Sequence, residues 1–456
     1  MNNIQKGEHT LHPVPQMSGL PGVGNLISMS ADPLDFLVRT ARRFPDLVHV
    51  RMLGGGYVQV NDPHLIEEVL VARSAAFHKD KGLKVYARAV FGDGLLSSDG
   101  DFWLRQRRLA QPAFHRERIA GYADLIRKHT LEAMAAWRVG EVRDVHEDMM
   151  RTTLRIVADA LFGAQKDESI VEIGECLDVI MARFDVRGVV ALLEQALGRV
   201  IDRAKQERYE AAVQRLDAIV DGVITRSRRD TRHADHLLAM LIAARDEDGS
   251  AMSDAQLRDE SRTMFIAGHE TTALSLSWTF WLLALNRDVH LRLREELEHV
   301  LAGRAPELSD LPKLTYTDQV IRESMRLMPP AWSIQREAMA DVEIGGYRIS
   351  KGSDVLLSQY SMHRDPRFFK EPERFLPERW TPEFTRHLPK YAYFPFGGGP
   401  RLCIGQQFAQ MEAVLMLAMI VQRFDMELAP GQRIVPQPSI TMRPKYGLKM
   451  RLRAAE

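Results

Sequence analysis

The chain has very little cysteine: two residues, Cys176 and Cys403, in 456. Two cysteines cannot build a disulfide framework or a multi-cysteine zinc site, and such scarcity fits a reducing, cytoplasmic setting. Net charge is also missing, because 61 basic residues face 61 acidic ones, and no positive excess points to nucleic acid. No apolar run opens the chain: Met-Asn-Asn-Ile-Gln-Lys-Gly-Glu-His offers neither a signal peptide nor a membrane anchor. Low-complexity linkers and charge blocks are missing too. Length alone would suggest about three domains, but without linkers a single domain over residues 1–456 is expected. What is present is apolar material, 45% of residues, enough for a large core.

Near the C-terminus stands Phe394-Pro-Phe-Gly-Gly-Gly-Pro-Arg-Leu-Cys403-Ile-Gly405. It sets one cysteine in a loop just before a helix expected from about Ile404. A thiolate there meets unpaired backbone N–H groups and the positive end of the helix dipole. Arg401 adds positive charge, and Gly397, Gly398 and Gly399 let the backbone approach a flat ligand closely. This arrangement suits the fifth ligand of a haem iron. Plainer readings compete on this stretch alone. A lone cysteine is more often a small buried hydrophobe, and a glycine run is often a flexible loop. A phosphate cradle is weak, since no Gly-Lys-Ser/Thr follows.

The chain reads as mainly α with a minor β region. Residues 11–26 are rich in proline and glycine, so an extended entry is expected over about 1–25. Residues 32–44 have helical spacing, and 47–60 alternate about Gly54-Gly55-Gly56 as a hairpin. Long amphipathic helices are expected over 117–250, including 119–137 and 197–226, and a last hairpin from 439–442 and 448–452. Trp103 and Arg107 share a helix face, where an indole N–H and a guanidinium match a carboxylate; alone, such a pair more often means packing plus a solvated charge. Arg105 and Arg108 point elsewhere, as a solvated face or a dock for an acidic partner.

A helix starting at Ser253 contains Ala267-Gly268-His269-Glu270-Thr271-Thr272. Glycine followed by two β-branched threonines is a poor helix interior. Thr271 can turn its hydroxyl to the Ala267 carbonyl and bulge the helix. Beside an iron such a bulge makes a groove for dioxygen, and Glu270 with Thr271 supplies the proton source and hydrogen bond that O–O cleavage needs. Separately, the two would pass for a solvated acid and a tolerated core threonine. Glu323 and Arg326, three apart on a helix, can pair, though that spacing is very common.

Taken together, these motifs identify a family. Phe396-x-x-Gly399-x-Arg401-x-Cys403-x-Gly405 resembles the haem-binding signature of the cytochrome P450 superfamily, and Ala267 to Thr272 resembles its oxygen-activation motif. The other motifs follow in the family's order over essentially the whole chain. The resemblance implies a P450 fold binding haem b (iron protoporphyrin IX) through Cys403, with Glu270 as acid and Thr271 as alcohol. It makes Trp103, Arg107, Arg336 and Arg401 propionate partners, and Ala267, Phe396 and Gly405 further haem contacts. His269 is set aside as a ligand, because the cysteine signature is complete. Glu323 and Arg326 become two parts of a structural triad. Spacing from His363-Arg-Asp-Pro366 selects Arg379 over Arg374 as the third. Trp380 departs from the pattern, which more often has Phe.

The resemblance also implies substrate contacts at Val85, Val90, Phe91, Ala331, Trp332 and Ile334. The implied activity is a soluble, bacterial-type monooxygenase acting on a lipophilic fatty acid, terpenoid or steroid. No reductase segment follows Glu456, so electrons from NAD(P)H are expected through a ferredoxin and its reductase, or a flavodoxin-type donor. No nucleic acid or membrane anchor is expected, and the protein should be a monomer. Two other activities stay open: a haem-thiolate peroxygenase or isomerase that needs neither O2 nor NAD(P)H, and a haem sensor without turnover.

Overall fold

Asp32 followed by Pro33 is a helix-start signal, since proline at the first helical position has no N–H to satisfy and Asp32 can cap. In the computed structural model, which describes residues 11–80, 88, 91–163, 167–182, 203–229 and 236–455, helix Pro33–Arg43 starts there. Asp32 accepts the Asp35 N–H at 3.0 Å, and Leu34, Phe36, Leu37 and Ala41 are buried. The chain divides into two units, one of Met1–Lys81, Ser333–Lys370 and Pro389–Leu402, the other of Gly82–Trp332, Glu371–Leu388 and Cys403–Glu456.

The first unit is built on sheet. Strands β1 (Leu47–Met52) and β2 (Gly55–Val60) form the expected antiparallel hairpin, turning through Gly54 at φ 74°. Two later strands, β3 (Ile334–Ala338) and β4 (Asp354–Leu357), extend it: β4 runs parallel to β2 and antiparallel to β3. Gln16–Met17 and Phe77–His78 form the edges of this six-stranded sheet. A smaller sheet joins His12–Pro13, Tyr347–Ile349 and Val342–Ile344.

The second unit is helical. Its principal elements are α1 (Gly100–Ala110), α2 (Val145–Phe162), α3 (Asp254–Leu285), α4 (Thr315–Leu327) and α5 (Gln406–Arg423). At the start of α3, Ser253 accepts the Gln256 N–H at 3.3 Å and Gln256 accepts the Ser253 N–H at 2.8 Å, a reciprocal cap. At 1.5 Å per residue the helix is about 48 Å long. Apolar residues recur on most sides of its middle, which is largely buried. Its closest helical neighbour is α2: a Cβ on Gly268 would come within 2.7 Å of Val157 Cγ2, and Phe162 stacks on Phe265 with centroids 5.7 Å apart. Among the described residues, no helix is long and apolar enough to cross a membrane.

Three expected elements differ. The helix expected over 119–137 is two, Arg116–Ala120 and Ala123–Ala135, because the chain turns at Gly121. The helix expected over 197–226 is Arg203–Arg229, with 197–202 outside the described residues. The last hairpin is not one. Met442–Pro444 pairs with Pro436–Pro438, whereas Lys449–Ala454 pairs with Phe424–Leu428. Alternation identifies a strand, but it does not choose the partner.

Candidate functional site

Helix α5 starts at Gln406, two residues later than expected, with Gly405 as its N-cap. Cys403 therefore precedes the first turn, and its thiol is exposed to solvent while protein atoms crowd round it. That crowding pushes its pKa up, and the Gly405 N–H and the Arg107 guanidinium pull it down. Arg107 lies on α1, four residues from Trp103, which is buried. Burial lowers the Arg107 pKa and proximity to Cys403 raises it, so guanidinium and thiol are neighbours. Arg105 and Arg108, on other faces of α1, pair with Asp246 at 3.1 and 3.3 Å. They are tied to their own unit rather than held out as a bare basic face.

The middle of α3 is closed except at one place. From Glu260 to Phe280 every residue is buried apart from Ala267, Gly268 and Thr271. Ala267 and Thr271 are four apart and share a face. The Thr271 hydroxyl donates to the Ala267 carbonyl at 2.8 Å, as the sequence suggests. No bulge accompanies it: the element is α-helical throughout Asp254–Leu285, because a hydroxyl can share a carbonyl without opening the ladder. His269 is buried with Nδ1 3.1 Å from the Phe265 carbonyl, and burial lowers its pKa. It does not join the open face.

Glu270 is buried at 2% exposure. Its Oε1 accepts from Arg443 Nε at 2.6 Å and from the Thr441 hydroxyl at 2.5 Å. Burial alone would raise its pKa; the Arg443 charge and the two hydrogen bonds outweigh it and hold the carboxyl below its ordinary value. Neither partner was legible beforehand, since they lie 171 and 173 residues away, just before and on a strand whose pairing the pattern does not reveal.

Glu323, Arg326 and Arg379 come together in the core. Arg326 donates from Nε to Glu323 Oε2 and from Nη2 to Oε1, both at 2.9 Å, and Arg379 Nε reaches Oε1 at 2.9 Å. The Leu376 N–H and Trp380 Nε1 add donors at 3.0 Å each. A fully buried carboxylate needs this many partners to stay charged. Arg374 instead pairs with the exposed Glu371 at 3.2 Å, and gives only its carbonyl to Arg326.

In the first unit the glycine loop is tightly packed. A Cβ on Gly398 would stand 2.3 Å from the Tyr391 ring, and one on Gly399, at φ 64°, would stand 1.8 Å from the Leu70 carbonyl oxygen. Phe396 is half-buried at its start, and Arg401 ends the short turn Gly399–Arg401. Arg336 lies buried on β3 opposite Val355 of β4, and Ile334 leads the same strand into contact with Gly397.

The remaining substrate candidates separate. Phe91 is 2% exposed and its carbonyl takes the Thr263 hydroxyl, so it packs in the core. Val85 and Val90 lie outside the described residues. Ala331 and Trp332 are half-buried, and Trp332 Nε1 donates to the Ser439 carbonyl at 2.8 Å.

These donors fit a haem. An accessible thiol stands at a helix start beside a guanidinium, nothing lies within 4 Å of the place a Cβ on Gly405 would take, and one open stripe interrupts a buried helix. Comparison with known proteins agrees. Residues 13–450 match the family described as Cytochrome P450. The chain is 37% identical to "Cyclooctatin synthase" of Streptomyces melanosporofaciens, over 95% of this chain and 93% of that protein. It is 33% identical to "Pentalenene oxygenase" of Streptomyces avermitilis, over 98% of each. A solved structure, "Crystal structure of cytochrome P450DA heme domain", superposes with a TM-score of 0.86 at 28% identity, covering 98% of both chains.

Proposed function

The chain belongs to the cytochrome P450 family, and from that premise we propose a haem-thiolate monooxygenase that puts one oxygen atom of O2 into a terpenoid-type small molecule. One observation carries this reading: the accessible Ala267–Gly268–Thr271 stripe in the otherwise buried α3, with a hydroxyl in it and a carboxylate next to it. A sensor would not need an acid–alcohol pair. Among fatty acids, terpenoids and steroids, the names of cyclooctatin synthase and pentalenene oxygenase favour the terpenoid class.

Haem bound through Cys403 would supply O2 activation, because thiolate electron density favours O–O cleavage. The chain's own residues do the rest. Trp103, Arg107, Arg336 and Arg401 would hold the propionates, and Ala267, Phe396 and Gly405 would contact the ring. Thr271 offers its hydroxyl on the open face, and Glu270 holds or gives a proton behind it. Glu323, Arg326 and Arg379 are structural, a brace for the segment that precedes the cysteine. Ala331, Trp332 and Ile334 line the substrate side. Electrons come from NAD(P)H by way of a separate ferredoxin and reductase.

The spectrum of the reduced, CO-bound protein tests the ligand: a thiolate-ligated haem puts the Soret band to the red of a histidine-ligated one, and a histidine-type spectrum would sink the proposal. Terpenoids, fatty acids and steroids are then titrated for a spin-state shift, and the best binder is turned over with a ferredoxin system or with peroxide. Turnover supported by peroxide alone would favour the peroxygenase.

A further inference from the structure

The two groups that hold Glu270 sit on one ribbon. Pro436–Pro438 and Met442–Pro444 pair antiparallel, with Gln437 opposite Arg443. The ribbon is pinned at three points in its own unit. The Met442 N–H donates to the Pro330 carbonyl at 2.9 Å, Trp278 Nε1 of α3 donates to the Met442 carbonyl at 2.9 Å, and Trp332 Nε1 donates to the Ser439 carbonyl at 2.8 Å. Thr441 and Arg443 therefore reach Glu270 from a rigid mount that also carries Trp332, a residue placed above on the substrate side.

We propose that Thr441 and Arg443 are positioning residues that hold Glu270 as a carboxylate through Oε1 and so set the pH at which it takes up the proton it delivers. The inference rests on the reading of Glu270 as the acid. A carboxyl at 2% exposure with no countercharge would be neutral. Arg443 reverses that, and in doing so stores Glu270 as the conjugate base, which has nothing to donate until a proton arrives.

The surroundings favour Arg443 as the control. His146 on α2 has its pKa pushed by burial down to about 4, and burial lowers that of His269 on α3 as well, while His269 adds a smaller pull on Glu270 than Arg443 does. Asp178, on helix Asp167–Ala182, is exposed; burial of its carboxyl raises its pKa and Arg443 draws it down. Glu147 acts on both Asp178 and His146, Asp144 acts on His146, and Glu175 acts on Asp178. Arg443 is the cation common to Glu270, His146, His269 and Asp178, and its side chain keeps 21% exposure. In each cycle Glu270 takes one proton from water, gives it up on the Thr271 side, and returns to the carboxylate with no change in electrons.

The test uses the haem-loaded enzyme and its Arg443→Met, Arg443→Lys, Thr441→Val and Glu270→Gln variants. The Glu270 carboxyl is followed by infrared difference spectra against pH, as the acid C=O band that Glu270→Gln lacks. Product formed per NAD(P)H consumed is measured over the same pH range. In Arg443→Met the band's midpoint is expected to rise by at least about one pH unit, a tenfold gain in proton affinity. The pH profile of product per NAD(P)H should move the same way, and Arg443→Lys should restore both. Thr441→Val, which removes one donor and no charge, should shift the midpoint upward by less, and it carries the test if Arg443→Met fails to fold. An unmoved midpoint in the variant tested overturns the inference, even where Glu270→Gln lowers product per NAD(P)H. Unchanged product per NAD(P)H in Glu270→Gln overturns instead the reading of Glu270 as the acid.

Discussion

Trp380 Nε1 donates to Glu323 Oε2 at 3.0 Å, in a place where Glu323 and Arg326 have no solvent exposure. Phenylalanine, the more usual residue at this position of the family, would fill similar space and leave that oxygen one donor short. A hydrogen bond to a charged group contributes about 1.5–3 kcal/mol. Trp380→Phe should therefore destabilise the fold by about 1–3 kcal/mol in urea unfolding. Glu323→Ala should cost about 3–5 kcal/mol, since it strands two buried guanidinium groups. Equal stability in Trp380→Phe and wild type would show that Arg326, Arg379 and the Leu376 N–H suffice for the carboxylate.

Glu412 on α5 has no solvent exposure, and no well-formed hydrogen bond reaches its oxygens among the described residues. Burial pushes its pKa up to about 8, and nearby Thr272 offsets this only in part. Glu260 on α3, whose Oε2 accepts the Leu95 N–H at 3.1 Å, is raised by burial to about 8 as well. Below the ordinary value of 4.5 folded and unfolded chains both keep these protons, and above it the unfolded chain loses them first. Stability from this source is thus complete in acid and falls as pH climbs from about 4.5 to about 8. Glu412→Gln and Glu260→Gln should each flatten that fall, by up to a few (~2–5) kcal/mol at alkaline pH. Unfolding free energies at pH values across that window provide the check.

Thr271 is the hydroxyl on the open stripe. Thr271→Ala should leave haem binding and the CO spectrum intact and lower product per NAD(P)H by about tenfold or more, the electrons appearing as peroxide or water. Thr271→Ser should keep most of the coupling. The measurement is product, peroxide and NAD(P)H consumed in the same reaction. Full coupling in Thr271→Ala would remove the hydroxyl from the reaction.

Gly268 sits where α3 touches α2. In an ordinary helix, alanine for glycine gains about 1 kcal/mol. Here the new methyl would meet Val157 Cγ2 at 2.7 Å, and overpacking costs about 1–3 kcal/mol. Gly268→Ala should destabilise, and in a Val157→Ala background the same change should become neutral or stabilising. A double-mutant cycle in denaturant measures that coupling.

Much of the site was legible because it is written in local spacings. The Trp103–Arg107 face, the Thr271–Ala267 hydrogen bond and the Glu323–Arg326 pair each need only three or four residues of helix. Choosing Arg379 over Arg374 needed only a count from His363. What could not be read depends on which distant strand comes to which helix. Arg443 and Thr441 reach Glu270 across more than 170 residues, on and just before a strand whose alternating pattern pointed to the wrong partner. Trp380 was visible as a departure from the family, but its use as a donor appears only once Glu323 is seen beside its ring nitrogen. The turn at Gly121 was missed because the helical period continues across it.

The glycine run 397–399 has a consequence for anyone who would diversify this enzyme. Gly398 is walled by the Tyr391 ring and Gly399 by the Leu70 carbonyl at a backbone angle closed to most side chains. These glycines are not slack that a mutagenic library can take up. They act as a spacer of fixed length, so a codon randomised there yields mostly non-functional clones, and an inserted or deleted residue would break the packing of the run against Tyr391 and Leu70.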